Sequence, residues 1–143
     1  MGLVNSIQRI NYEDIQYFIK NSENISFILI NTLNENKQNC LIPNTIKCDK
    51  EEEIINNCLS KNKNIKIVIY GENSNDNKSI EKYLQLQKLG FNNVYIYCGG
   101  LFEWLLLQDI YGDELFPTTS KIHNALIYKP EKLFNNNFLM IDT

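Results

Sequence analysis

The chain has 143 residues, 43% of them hydrophobic and 11% aromatic, with a net charge of −3. That length supports one domain with a real core and falls short of two, and the apolar content excludes a disordered chain. No cluster of Lys and Arg marks a nucleic-acid footprint, and no apolar run approaches the ~18 residues of a membrane span.

Residues 6–10 read as a short edge strand. Asn11 then caps a helix running through Lys20, with Asp14 three residues later completing a loose capping box. Residues 27–30 are a short continuous apolar run, the mark of a strand buried on both faces. Residues 34–39 form a polar loop, and Pro43 precedes a short strand at Thr45 and Ile46. Residues 50–60 carry acidic side chains in their first turn and Ile54, Ile55, Cys58 and Leu59 at helical spacing.

A second buried strand, 67–70, runs into the polar loop Gly71, Glu72, Asn73, Ser74, Asn75, Asp76, Asn77, Lys78. Ser79 is expected to cap the helix that follows, with Tyr83, Leu84, Leu86, Gln87 and Leu89 on its apolar face and Gly90 as its stop. A third strand, 94–97, ends at Gly99 and Gly100. Residues 101–111 form a last helix closed by Gly112. Its Phe102, Trp104 and Leu105 to Leu107 are core contacts, and Glu103, Gln108 and Asp109 take the wetter side. Strands alternating with helices predict an α/β domain, one parallel sheet covered on both faces.

After Pro117 the patterns weaken. Phe116, Pro117, Thr118 and Thr119 are expected to dock a partner or cover a sheet edge. The organisation is an N-terminal segment (1–10), a domain over 6–116 and a C-terminal extension (117–143) that packs on the domain or forms a peripheral arm.

The best-defined motif is Leu89-Gly90-Phe91-Asn92-Asn93-Val94-Tyr95 followed by Gly99-Gly100-Leu101-Phe102-Glu103-Trp104. Over residues 6–107 the chain resembles the rhodanese-like family of sulfurtransferases and Cdc25-type phosphatases, whose members carry a strand, then Gly-Gly, an apolar residue, two more residues and a Trp. A weaker match is Leu41-Ile42-Pro43-Asn44-Thr45-Ile46, where the family usually has His-Ile-Pro-Gly-Ala. Asn31-Thr32-Leu33 stands where it has Asp-x-Arg, and Gly71 falls at its catalytic cysteine. The resemblance therefore implies a rhodanese-like fold whose chemistry-bearing positions have departed.

In active members the cysteine thiolate sits among backbone N–H groups at a helix N-terminus, which lower the thiol pKa and hold an anionic substrate. Gly71 supplies no nucleophile, and Glu72 and Asp76 oppose the single charge of Lys78. Lys78 as a stand-in for the phosphatase arginine offers a point charge in place of a bidentate fork. The loop 71–78 reads as either a vacated active site turned contact surface or a solvated turn.

Two functions follow. The first is a catalytically inactive module acting in protein interaction or regulation. The alternative is a sulfurtransferase or phosphatase-like enzyme with a relocated nucleophile, Cys98 or Cys48, both of which follow strand ends opening on the same crevice. No cofactor is expected. The cysteines Cys40, Cys48, Cys58 and Cys98 make no C-x-x-C pair, and the lone His123 completes no zinc pattern, so no metal is expected either.

Without a secretory apolar segment at the N-terminus, the cysteines read as free thiols in a reducing, cytoplasmic setting. Met1-Gly2-Leu3-Val4-Asn5-Ser6 fits the N-myristoylation pattern at Gly2. A lone acyl chain with no polybasic patch gives only weak membrane association. The expected partner is a protein, not a nucleic acid.

Overall fold

The computed structural model describes residues 6–134, so the Gly2 motif and the last nine residues of the extension lie outside the described residues. In chain order the elements are β1 (Arg9–Ile10), α1 (Tyr12–Lys20), β2 (Phe27–Asn31), β3 (Thr45–Ile46), α2 (Glu51–Lys61), β4 (Lys66–Tyr70), α3 (Asn77–Leu89), β5 (Asn93–Tyr97) and α4 (Gly100–Tyr111). Short 3-10 turns occupy Glu35–Lys37, Cys48–Lys50 and Ala125–Tyr128.

All strand pairs are parallel, in the order β1-β5-β4-β2-β3. The three apolar runs are neighbours at its centre, with Ile28 beside Ile67 and Ile67 beside Val94. Because strand side chains alternate, one set of residues serves each face. Leu29, Val68, Tyr70 and Tyr97 pack with Ile15 and Phe18 of α1 and Leu101, Trp104 and Leu105 of α4. Ile30, Ile67, Ile69, Val94 and Ile96 pack with Ile55 of α2 and Tyr83 and Leu86 of α3. Fully burying a side chain such as Leu29 or Ile67 contributes about 1.5–3 kcal/mol, which fixes the strand ends from which the loops leave.

The N-terminal cap of α1 is as expected: the Asn11 side chain accepts from the Glu13 and Asp14 N–H groups, and Asp14 accepts from the Asn11 N–H. The cap of α3 is not Ser79. Asp76 takes that position, its side chain accepting from the Lys78 N–H, so the helix begins three residues earlier, at Asn77. Ser79 instead turns inward and donates to the Asp76 carbonyl oxygen at 2.9 Å.

Two helix faces also differ from expectation. On α3 the inward stripe is Ser79, Tyr83 and Leu86 at i, i+4, i+7, leaving Leu84 and Leu89 exposed. On α4 Gln108 is buried and Leu106 exposed, because Gln108 Nε2 donates to the Phe116 carbonyl and to Thr118 Oγ1.

That contact shows where the segment 116–119 goes. Phe116 is buried edge-on against Trp104, and the Trp104 indole donates to the Pro117 carbonyl at 2.8 Å. The segment closes over α4, and Thr119 reaches Leu41.

Candidate functional site

The loop after β4 is held from three sides. Below it, Tyr70 is fully buried, accepts from the Ile42 N–H at 3.1 Å and shares a hydrogen bond with Thr45 Oγ1 at 2.8 Å. Burial raises its phenol pKa, so the ring stays neutral and fixes the 41–45 turn. From the side, the first turn of α4 donates into the loop backbone: Leu101 N–H to the Gly71 oxygen at 2.9 Å and Phe102 N–H to the Glu72 oxygen at 2.8 Å.

This close approach explains Gly100. Its φ is +68°, and a Cβ there would stand 2.7 Å from the Gly71 oxygen and 2.8 Å from the Asn73 nitrogen. Only glycine meets both demands.

Inside the loop, the room at position 71 is filled. Asp76 Oδ2 accepts from Thr32 Oγ1 at 2.7 Å and from the Glu72 N–H at 3.3 Å, and Oδ1 accepts from the Lys78 N–H at 2.8 Å. A Cβ on Gly71 would overlap Asp76 Oδ2 and stand 2.7 Å from Thr32 Oγ1. The helix-terminal donors of the loop already hold an anion, supplied by the chain itself.

Asn73 organises the remainder. Its Oδ1 accepts from the Asn75 N–H at 2.9 Å, and its Nδ2 donates to the Tyr128 carbonyl at 2.8 Å. Ser74, Asn75, Asn77 and Lys78 are exposed.

The acidic excess read from the sequence does not describe the folded loop. Glu72 pairs with Lys37 at 3.0 Å, and both are partly buried. Lys78 Nζ is turned to Asn34 Oδ1 at 3.1 Å. A depression of about 340 Å³ beside the loop is lined by Thr32, Glu72, Asn75, Asp76, Lys129 and Glu131 among others. Lys37, Lys78 and Lys129 thus lie around the loop with Glu72, Asp76 and Glu131, and the Lys37–Glu72 contact is an ion pair. Lys37, Tyr128 and Lys129 were invisible as site residues because each arrives from a distant segment. Asp76 carried a readable signal, as an N-cap residue type just ahead of a helical pattern.

The two candidate nucleophiles are not brought together. Cys48 opens a 3-10 turn, its N–H donating to Gln38 Oε1 at 2.9 Å. It lines a cleft of about 780 Å³ that shares Thr32 and Lys78 with the loop depression. Cys98 lines neither; it packs on the α2 and α3 face. Arg9 Nη1 lies 3.0 Å from its Sγ, a basic neighbour 89 residues away in sequence. Burial pushes the Cys40 and Cys58 thiols up. All four thiols are free, and among the described residues no group of His, Cys, Asp and Glu is arranged to hold a metal. His123 is exposed.

Other candidate residues are structural. Trp104 is fully buried between Tyr97 and Phe116. Glu103, expected on the wet side, is half-buried and accepts from the Tyr97 hydroxyl at 2.6 Å.

The family model for the rhodanese-like domain matches residues 11–107. Among solved structures, the Alr3790 protein from Anabaena sp. aligns with a TM-score of 0.57 at 19% identity, covering 82% of this chain and 84% of that one. Ygr203w, a yeast protein tyrosine phosphatase of the rhodanese family, aligns at 0.59 and 10% identity over 88% and 99% of the two chains. A thiosulfate sulfurtransferase from Pseudomonas aeruginosa aligns at 0.56 and 16% identity over 71% of this chain and 19% of its own. No curated protein matches.

Proposed function

The chain belongs to the rhodanese-like domain family, and we propose that it is a non-catalytic member whose former active-site loop serves as a contact surface for a protein partner. The observation that carries this reading is Asp76 occupying the room beside Gly71. A sulfurtransferase or cysteine phosphatase needs a thiolate there and an open seat for a substrate anion. The loop has neither: Asp76 takes the N–H groups of Glu72 and Lys78 and the Thr32 hydroxyl, and Glu72 is paired with Lys37. What it offers outward is a set of amides and carboxylates on a frame fixed by β4, α3 and α4, which suits hydrogen-bonded recognition of another chain.

The test is direct. Purified protein assayed with thiosulfate and cyanide, and separately with an aryl phosphate, should give no turnover above background. Turnover lost on Cys98→Ser would replace this reading with a relocated nucleophile.

That second reading is supported by the Arg9–Cys98 contact, which sets a guanidinium N–H donor 3.0 Å from the sulfur. Thiol labelling of the native protein near neutral pH separates the two: one fast cysteine supports an enzyme, and four slow ones oppose it. We further propose a cytoplasmic location with weak membrane association through acylation at Gly2. Among the described residues no helix is long and apolar enough to cross a membrane.

A further inference from the structure

The segment after Thr119 crosses back over the loop and touches it at few, specific points. Thr119 N–H donates to the Leu41 carbonyl and Ser120 Oγ to the Asn39 carbonyl, which tie the segment down at its start. Residues 121–124 are then mostly exposed. The 3-10 turn Ala125–Tyr128 follows, and only its first and last side chains are buried, at the i and i+3 positions that share one face. Leu126 and Ile127 between them are 56% and 49% exposed.

The loop's polar contact to this turn is made to backbone. Asn73 Nδ2 reads the carbonyl of Tyr128, a group any peptide on that path would present. The Tyr128 ring is met by Lys37 Nζ at 5.4 Å from its centroid, and Lys37 is itself held by Glu72. The next residues, Lys129 and Glu131, help line the depression beside Glu72, Asn75 and Asp76. Asn73 and Asp76 are fixed by bonds internal to the loop, so the seat persists without its occupant.

We infer that residues 125–131 are a strap occupying a peptide site, and that the loop surface takes a peptide forming a single 3-10 turn that ends in an aromatic residue followed by a lysine. This rests on the reading of the loop as a contact surface and names both its ligand class and its regulation. The chain's own extension is the resident ligand, and a partner segment of the same chemistry binds when the strap lifts. Of the strap, Ala125 and Tyr128 are buried against the α1 and α4 side of the core, while Leu126, Ile127 and Lys129 are exposed. The tether upstream is mostly exposed, so lifting the strap withdraws two side chains and leaves every strand in place.

The experiment uses the full chain and a fluorescent peptide of residues 122–132, IHNALIYKPEK. The Tyr128→Ala protein, with its seat emptied, should bind this peptide at least about tenfold more tightly than wild type does. A peptide with alanine in place of its tyrosine should bind neither protein. Equal binding to both proteins, or none to a folded Tyr128→Ala protein, overturns the proposal.

If Tyr128→Ala does not fold, Asn73→Ala is read by amide hydrogen exchange. Amides of 127–129 should then exchange at least about tenfold faster while β4 stays protected. Unchanged exchange in the strap overturns the proposal equally. Turnover by wild type in the sulfurtransferase or phosphatase assay would sink the non-catalytic reading alone, since peptide binding does not measure catalysis.

Discussion

The carboxylate of Asp76 stands where the side chain of residue 71 would begin, and Gly71 is the residue that leaves it room. The two positions are coupled: the missing Cβ makes space for Oδ2, which ties Thr32 to the loop, while Oδ1 of the same carboxylate caps α3. Restoring a cysteine alone must evict that carboxylate. Losing the cap costs about 1 kcal/mol, and losing the hydrogen bond a similar amount. Gly71→Cys should therefore lower stability by about 1–3 kcal/mol in urea unfolding and show no sulfurtransferase or phosphatase turnover. Combined with Asp76→Ala, the loss should fall short of the sum of the two single losses by about 0.5 kcal/mol or more. A stable, active Gly71→Cys protein would refute the coupling.

Gly100 and Gly112 separate two reasons for a glycine. Both have positive φ, +68° and +100°, but only Gly100 has neighbours in the way, whereas a Cβ on Gly112 meets nothing within 4 Å. Gly112→Ala should cost backbone strain alone, about 1–2 kcal/mol. Gly100→Ala adds a clash with the Gly71 carbonyl and the Asn73 nitrogen, and should cost about 2–4 kcal/mol in all. Equal losses in thermal or urea unfolding would mean that the α4–loop contact is looser than described.

The architecture was legible because local signals sufficed for it. Continuous apolar runs at 27–30, 67–70 and 94–97 are strands buried on both faces, and they are the three central strands of the parallel sheet. The contents of the loop were legible only in part. A glycine at 71 shows that no nucleophile is present there, but sequence order does not show that the side chain five residues on folds back into the space. The charges misled for the same reason. Lys37 and Lys129 balance the loop from 35 residues before Glu72 and 53 residues after Asp76, separations that no window captures. The burial of Gln108 was missed because helical spacing assumes polar residues face water, whereas Gln108 satisfies its amide donor on the returning 116–118 segment.

Gly2 lies outside the described residues, so its prediction rests on the motif alone. Co-expression with an N-myristoyltransferase should add one acyl chain, seen as a mass increase that Gly2→Ala abolishes. One chain gives marginal binding, with a partition constant of about 10⁴ M⁻¹. Vesicle flotation should therefore recover a minor fraction of acylated protein and none of Gly2→Ala. An unmodified wild-type mass would remove the proposed membrane association.

Two buried phenols make the fold sensitive to alkali. Burial raises the pKa of both Tyr70 and Tyr97 above their ordinary value of 10.0, and for Tyr97 the Glu103 carboxylate beside it raises it further. Above pH 10 the unfolded chain releases these protons while the folded chain keeps them. The unfolded state then binds fewer protons, so stability falls as pH rises. The contribution is full below pH 10 and is lost progressively from there toward the folded values. Each fully buried phenol steepens the fall by about 1.4 kcal/mol per pH unit in that window. Urea unfolding across this range should show the decline, and Tyr97→Phe should remove roughly one phenol's share of the slope. The variant should also be less stable at neutral pH by about 1 kcal/mol, because the 2.6 Å bond to Glu103 is gone. A Tyr97→Phe protein with the wild-type slope would show that Tyr97 ionises in the folded state and that its ring is wetter than the packing against Trp104 implies.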